Sequence, residues 1–102
     1  MSIKKEYARN KMICKVTFEV PESLGNNAAK AFVVGEFNNW STSATPMKRK
    51  KNGIFTATLD LQKGHEYQFR YLLDKDKWEN EVEADKLAPT PYGDAMNSVV
   101  VV

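Results

Sequence analysis

Two tryptophans of this 102-residue chain stand in polar surroundings. Trp40 arrives near the end of Phe32-Val33-Val34-Gly35-Glu36-Phe37-Asn38-Asn39-Trp40-Ser41, where a β-rich apolar run stops at Gly35 and the ring falls in a short polar loop. Trp78 follows Tyr67-Gln68-Phe69-Arg70-Tyr71-Leu72-Leu73-Asp74 and a charged turn. Tryptophan normally buries most of its surface, so a ring delivered into such a loop suits a platform held out for a ligand. Arg70 falls on the solvent side of its segment, and Asn97 leads into the last apolar run. A flat ring with C–H bonds on one face and hydroxyls around its rim would be served by this set. The tryptophans would lie beneath it, a guanidinium would donate to two neighbouring hydroxyls, and an amide would both donate and accept. The plainer reading is that both tryptophans cap the ends of a core and Arg70 is a solvated charge. Residue types alone weigh the two readings equally.

The elements that must position these residues read as strands. Cys14, Val16, Phe18 and Val20 alternate with Lys15, Thr17 and Glu19, a half-buried strand ended by Pro21. Ala31 to Gly35 is a continuous apolar run, and Met47 to Lys51 is a weak edge strand. Asn52-Gly53 predicts a hairpin with a type I′ turn, which requires positive φ at both central residues. Phe55, Ala57, Leu59 and Leu61 then share one face, as do Tyr67, Phe69, Tyr71 and Leu73, with Gln68, Arg70 and Leu72 opposite. Asp74 to Lys77 is a turn, Glu79 to Pro91 a long charged connection with room for one helical turn, and Val99 to Val102 the closing strand. Residues 1–12 read as a loosely ordered leader and 13–102 as a single domain. No segment holds a helical period, and turn signals recur at short spacing, so the expected fold is an all-β, immunoglobulin-like antiparallel β-sandwich. Its expected core contains Val16, Phe18, Val20, Phe32, Val34, Phe55, Ala57, Leu59, Tyr67, Phe69, Tyr71 and Val100.

Other candidates dissolve on inspection. The acidic run Asp74, Asp76, Glu79, Glu81, Glu83, Asp85 fails as an EF-hand loop, because Trp78 takes the fifth position and Glu79 the one that needs glycine. It reads as a solvated loop. Lys48-Arg49-Lys50-Lys51 has no interleaved aromatics and reads as an edge strand guarded by lysines rather than a phosphate contact. Cys14 lies on an apolar face as core filler, and His65 has no evident acid–base partner. Asn39-Trp40-Ser41 matches a glycosylation sequon but comes with no secretion signal. No Gly-rich phosphate loop, metal cluster or activated nucleophile can be assembled, so the chain is expected to be no enzyme and to need no cofactor.

Composition sets the outer bounds. A chain of this length buries a little over ~60% of its unfolded surface, enough for one core. Apolar residues at 42% and charged residues at 27% are ordinary for a globular domain. A net charge of +2 gives no argument for nucleic acid, and no apolar stretch reaches membrane-spanning length. One cysteine and no apolar leader give a cytoplasmic setting as the expectation.

The Gly-x-Phe-Asn-Asn-Trp motif, the aromatic strand ending at Asp74, Trp78 after the turn and Asn97 before the last strand together resemble the family-48 carbohydrate-binding modules. Such modules are the N-terminal early-set domain of isoamylases and branching enzymes and the glycogen-binding domain of AMP-activated protein kinase β subunits. The resemblance covers about Ile13 to Val102. It implies the early-set form of the sandwich and an α-glucan site, glycogen- or starch-like, at Trp40, Arg70, Trp78 and Asn97. It also carries over Tyr92, which would stack on a sugar, and Asp94, which would accept a hydroxyl proton. The chain departs from the family in the glycine-free turn Asp74-Lys75-Asp76-Lys77 and in a Gly93–Asn97 loop about one residue longer. The implied partner is an α-glucan polysaccharide or maltooligosaccharide, with a separate glucan-processing enzyme as a further one; no nucleic acid and no membrane are expected. The competing class is a protein-interaction domain of the same fold that docks onto a glycan-processing enzyme or a kinase without binding sugar.

Overall fold

The computed structural model of the chain describes residues 3–7, 12–21, 28–74, 77–81, 83–90 and 96–102. They form nine strands: β1 (Ile3–Tyr7), β2 (Ile13–Val20), β3 (Ala31–Gly35), β4 (Lys48–Arg49), β5 (Phe55–Gln62), β6 (Glu66–Leu73), β7 (Lys77–Glu79), β8 (Lys86–Pro89) and β9 (Met96–Val101). The helical content among the described residues is one 3-10 turn, Glu36–Asn38. Two antiparallel sheets result. One runs β1-β2-β5-β4; the other runs β3-β6-β9-β8, with β7 also paired to β6.

Alternation places the core between the sheets. In the β2–β5 register Cys14 faces Leu61, Val16 faces Leu59, Phe18 faces Ala57 and Val20 faces Phe55, so the apolar residues of both strands share one face. Across the gap, Phe69, Tyr71 and Leu73 of β6 and Val100 of β9 complete the cluster. Phe18 and Phe69 meet edge to face at 5.0 Å between ring centres, a favoured aromatic geometry. Ala57, Leu59 and Tyr67 are half-buried against this cluster.

Several expectations from the sequence are corrected. Phe32 and Val34 do not enter the core; register pairs Ala31 with Leu73 and Val33 with Tyr71, so Ala31 and Val33 face inward. A continuous apolar run carries no parity, and its neighbours in the sheet decide which side faces in. The leader expected over residues 1–12 contains β1, which pairs along β2 and buries Ile3 in the core. Trp78 lies in β7 rather than a turn, and the charged connection after it contains β8. The Asn52-Gly53 hairpin is no type I′ turn, since of the two only Gly53 has positive φ, at 85°. Instead the Gly53 amide donates to the Lys50 carbonyl at 3.0 Å and the Lys50 amide to the Ile54 carbonyl at 2.8 Å. That is a three-residue loop closed by a glycine bulge.

Candidate functional site

The loop that carries Trp40 is built by its neighbours. Phe37 turns inward, its ring centre 5.6 Å from that of Phe18 and 6.3 Å from that of Phe69. Asn38 braces the turn: its Oδ1 accepts from the Gly35 amide at 3.0 Å, and its Nδ2 donates to the Val33 carbonyl and the Thr45 hydroxyl, each at 3.0 Å. Asn39 and Trp40 then both take left-handed backbone, φ 56° and 59°. Asparagine tolerates that region; tryptophan rarely visits it. The Trp40 amide donates back to the Gly35 carbonyl at 2.8 Å, closing the loop. One aromatic is thus locked into the core and the next is turned away from it. Trp40 remains 40% exposed.

The other candidates share the outer face of the β3-β6-β9-β8 sheet. Phe32, Leu72 and Trp78 form one cross-strand row, because Leu72 pairs with Phe32 on one edge of β6 and with Trp78 on the other. Val34 and Arg70 form the next row. Val34 and Leu72 are buried although they face away from the core, so this outer face carries its own apolar floor. Trp78, at the end of that row, is 41% exposed. Arg70 is half-buried and donates Nε at 3.2 Å and Nη2 at 2.9 Å to the Met96 carbonyl, which lies beside Asn97.

Asn97 departs from its expected place leading into the strand. It lies within β9, only 7% exposed, and its Nδ2 donates to Gln68 Oε1 at 3.0 Å. The structure therefore brings Arg70, Trp78 and Asn97 onto one face. Trp40 follows the end of β3, on the opposite side of β6 from Trp78, and among the described residues no hydrogen bond or ring contact joins it to the other three. Tyr92 and Asp94 lie outside the described residues.

Two residues next to these went unnoticed in the sequence. Gln68 holds Asn97, and the alternation that placed Arg70 outward had placed Gln68 beside it. Asn80 binds the Met96 carbonyl at 2.9 Å through Nδ2, while its Oδ1 accepts from Ser98 N at 3.0 Å and Ser98 Oγ at 2.8 Å. No local pattern marks it.

The acidic run is only in part a solvated loop: Asp74, Glu83 and Asp85 are exposed, Glu79 is half-buried in β7, and Asp76 lies outside the described residues. Glu81 is buried and accepts the Tyr71 hydroxyl at 2.7 Å and the Glu83 amide at 2.9 Å. Burial pushes the Tyr71 hydroxyl well above its ordinary range, helped by the charge and hydrogen bond of Glu81. Asp74 Oδ1 accepts the Ala29 and Lys30 amides, and Asp85 Oδ2 binds Lys5 and the Val101 amide. Carboxylates with this many protein donors are structural ties.

The molecule is thus a two-sheet antiparallel β-sandwich that leaves both of its indoles partly open. Residues 24–92, more than half of the chain, match the family model of carbohydrate-binding module 48 (isoamylase N-terminal domain), and the chain belongs to that family. It is also similar to a 1,4-alpha-glucan-branching enzyme of Emericella nidulans, with 45% identity over 38 residues. That match covers 37% of this chain and 6% of the enzyme, so the chain spans a small fraction of that relative's length.

Proposed function

We propose that the chain binds α-glucan without catalysis, with Trp40 and Trp78 as stacking plates, Arg70 at the sugar rim and Asn97 held behind it by Gln68. The observation that carries this reading is that both indoles stand outside the core cluster with 40% and 41% of their surface open. Membership of a carbohydrate-binding family supports it, and so does the buried apolar floor of Val34 and Leu72 from which Trp78 extends. Stacking on one ring is worth roughly 1–3 kcal/mol, borrowing the range known for bases. Two plates and a few rim hydrogen bonds, less the cost of association, give an affinity of about micromolar to millimolar.

Maltoheptaose or β-cyclodextrin is therefore expected to quench tryptophan fluorescence and shift the indole NMR signals. Trp40→Ala or Trp78→Ala should each weaken binding by about tenfold to a hundredfold while the protein stays folded. Unfolding of both variants would make the tryptophans structural caps. A folded wild type with no sugar-dependent signal at millimolar concentration would leave the sandwich as a docking domain for a protein partner.

A further inference from the structure

A continuous polar chain runs from the core to the guanidinium of the candidate site. Tyr71 donates to Glu81; the Glu81 amide donates to Ser98 Oγ at 2.8 Å; Ser98 donates through both N and Oγ to Asn80 Oδ1. Asn80 Nδ2 then donates to the Met96 carbonyl, the same atom that receives Arg70 Nε and Nη2. Three N–H donors converge on one oxygen. Asn80 is half-buried, and its side chain spends both its carbonyl and its amino group on β9. It also lies two residues beyond Trp78, on the segment that leaves β7.

We infer that Asn80 is a positioning residue of the glucan site: by holding the Met96 carbonyl against β7 it fixes the Nε–Nη2 edge of Arg70 and turns the remaining N–H groups outward. This rests on the glucan-binding reading above. An arginine pinned along one edge presents its remaining donors in a fixed plane, so fewer rotamers are lost when a hydroxyl pair binds. Without Asn80 the carbonyl loses one of its three donors and its tether to β7. Arg70 then follows a looser strand end.

The test is a double-mutant cycle read with β-cyclodextrin. Asn80→Ala should weaken binding roughly three- to tenfold in the wild-type background, the worth of one net hydrogen bond. In an Arg70→Ala background it should change nothing further, because its effect runs through the guanidinium. A purely structural role would weaken binding by the same factor in both backgrounds, and that result overturns the inference. The Arg70 Nε–Hε resonance gives an independent reading. In the free wild type it should be slowly exchanging and show coupling across the hydrogen bond to the Met96 carbonyl, and in Asn80→Ala it should lose that protection. If Asn80→Ala does not fold, Asn80→Asp keeps the acceptor used by Ser98 and sets a charged oxygen, which cannot donate, against the Met96 carbonyl; an Arg70 Hε signal unmoved in that variant overturns the inference. A wild type that ignores the sugar sinks the glucan reading, while the Hε signal still decides whether Asn80 holds Arg70.

Discussion

A buried carboxylate held by neutral donors depends on each of them. Glu81 has the Tyr71 hydroxyl on one oxygen and the Glu83 amide on the other. Replacing Tyr71 by phenylalanine keeps the ring in the core but strands an acceptor, which should cost about 1–3 kcal/mol in a denaturant titration. The same pair sets an alkaline limit. The folded state holds the Tyr71 proton well above the ordinary range, through burial and then through Glu81, whereas the unfolded chain releases it near pH 10. Above about pH 10 the unfolded state therefore binds fewer protons, and stability falls as pH rises. That fall should be steeper in wild type than in Tyr71→Phe. None of this was legible beforehand: a glutamate within Glu79-Asn80-Glu81-Val82-Glu83 looks like every other surface acid until Ser98 and Tyr71 are brought to it from other strands.

At the scale of elements, strands with strict alternation were legible to within a residue or so. β2, β5 and β6 each carry four apolar residues at a spacing of two, and the core uses those faces. β3 was legible as a strand but not in its facing, since Phe32-Val33-Val34 has no parity of its own. Gly35 is the end stop of that strand for a steric reason. A Cβ there would meet the Gln68 carbonyl oxygen at 2.5 Å and Phe69 Cβ at 2.7 Å. Gly35→Ala must push β3 away from β6 just where the Trp40 loop begins. We expect a loss of about 1–3 kcal/mol, the usual range for overpacking, measured as a lowered thermal midpoint. The Trp40 and Phe37 signals should move in the same variant, because the Gly35 carbonyl also accepts the Trp40 amide.

Across the whole molecule, the parts hidden from sequence reasoning are the short charged strands and the side-chain ties they make to distant positions. β1 is charged and looks like a leader, yet Lys5 reaches across 80 positions to Asp85 at 2.7 Å and ties the two sheets together. Burial acts to raise the Asp85 carboxyl, but the Lys5 hydrogen bond, the Val101 amide and the Lys5 charge outweigh it and hold the group below the ordinary carboxylate range. Its contribution is thus present above the unfolded value of about 4 and lost as pH falls through the lower folded value. Asp85→Asn should melt below wild type at neutral pH, and the gap between their midpoints should close under acid conditions, as followed by circular dichroism. The candidate site was legible in its residue types, because indoles in polar loops stand out. Its geometry was not, because Trp78 reaches the outer face through β7 and Asn97 turns out to lie inside β9.

The left-handed backbone at Trp40 has a consequence for anyone improving this domain. Holding a large L-residue at φ 59° costs of order 1–3 kcal/mol, and glycine would relieve it. A selection that scored heat resistance alone would drift toward Trp40→Gly and discard the indole. The most robust descendants of this sequence would be the ones that had given up their exposed ring.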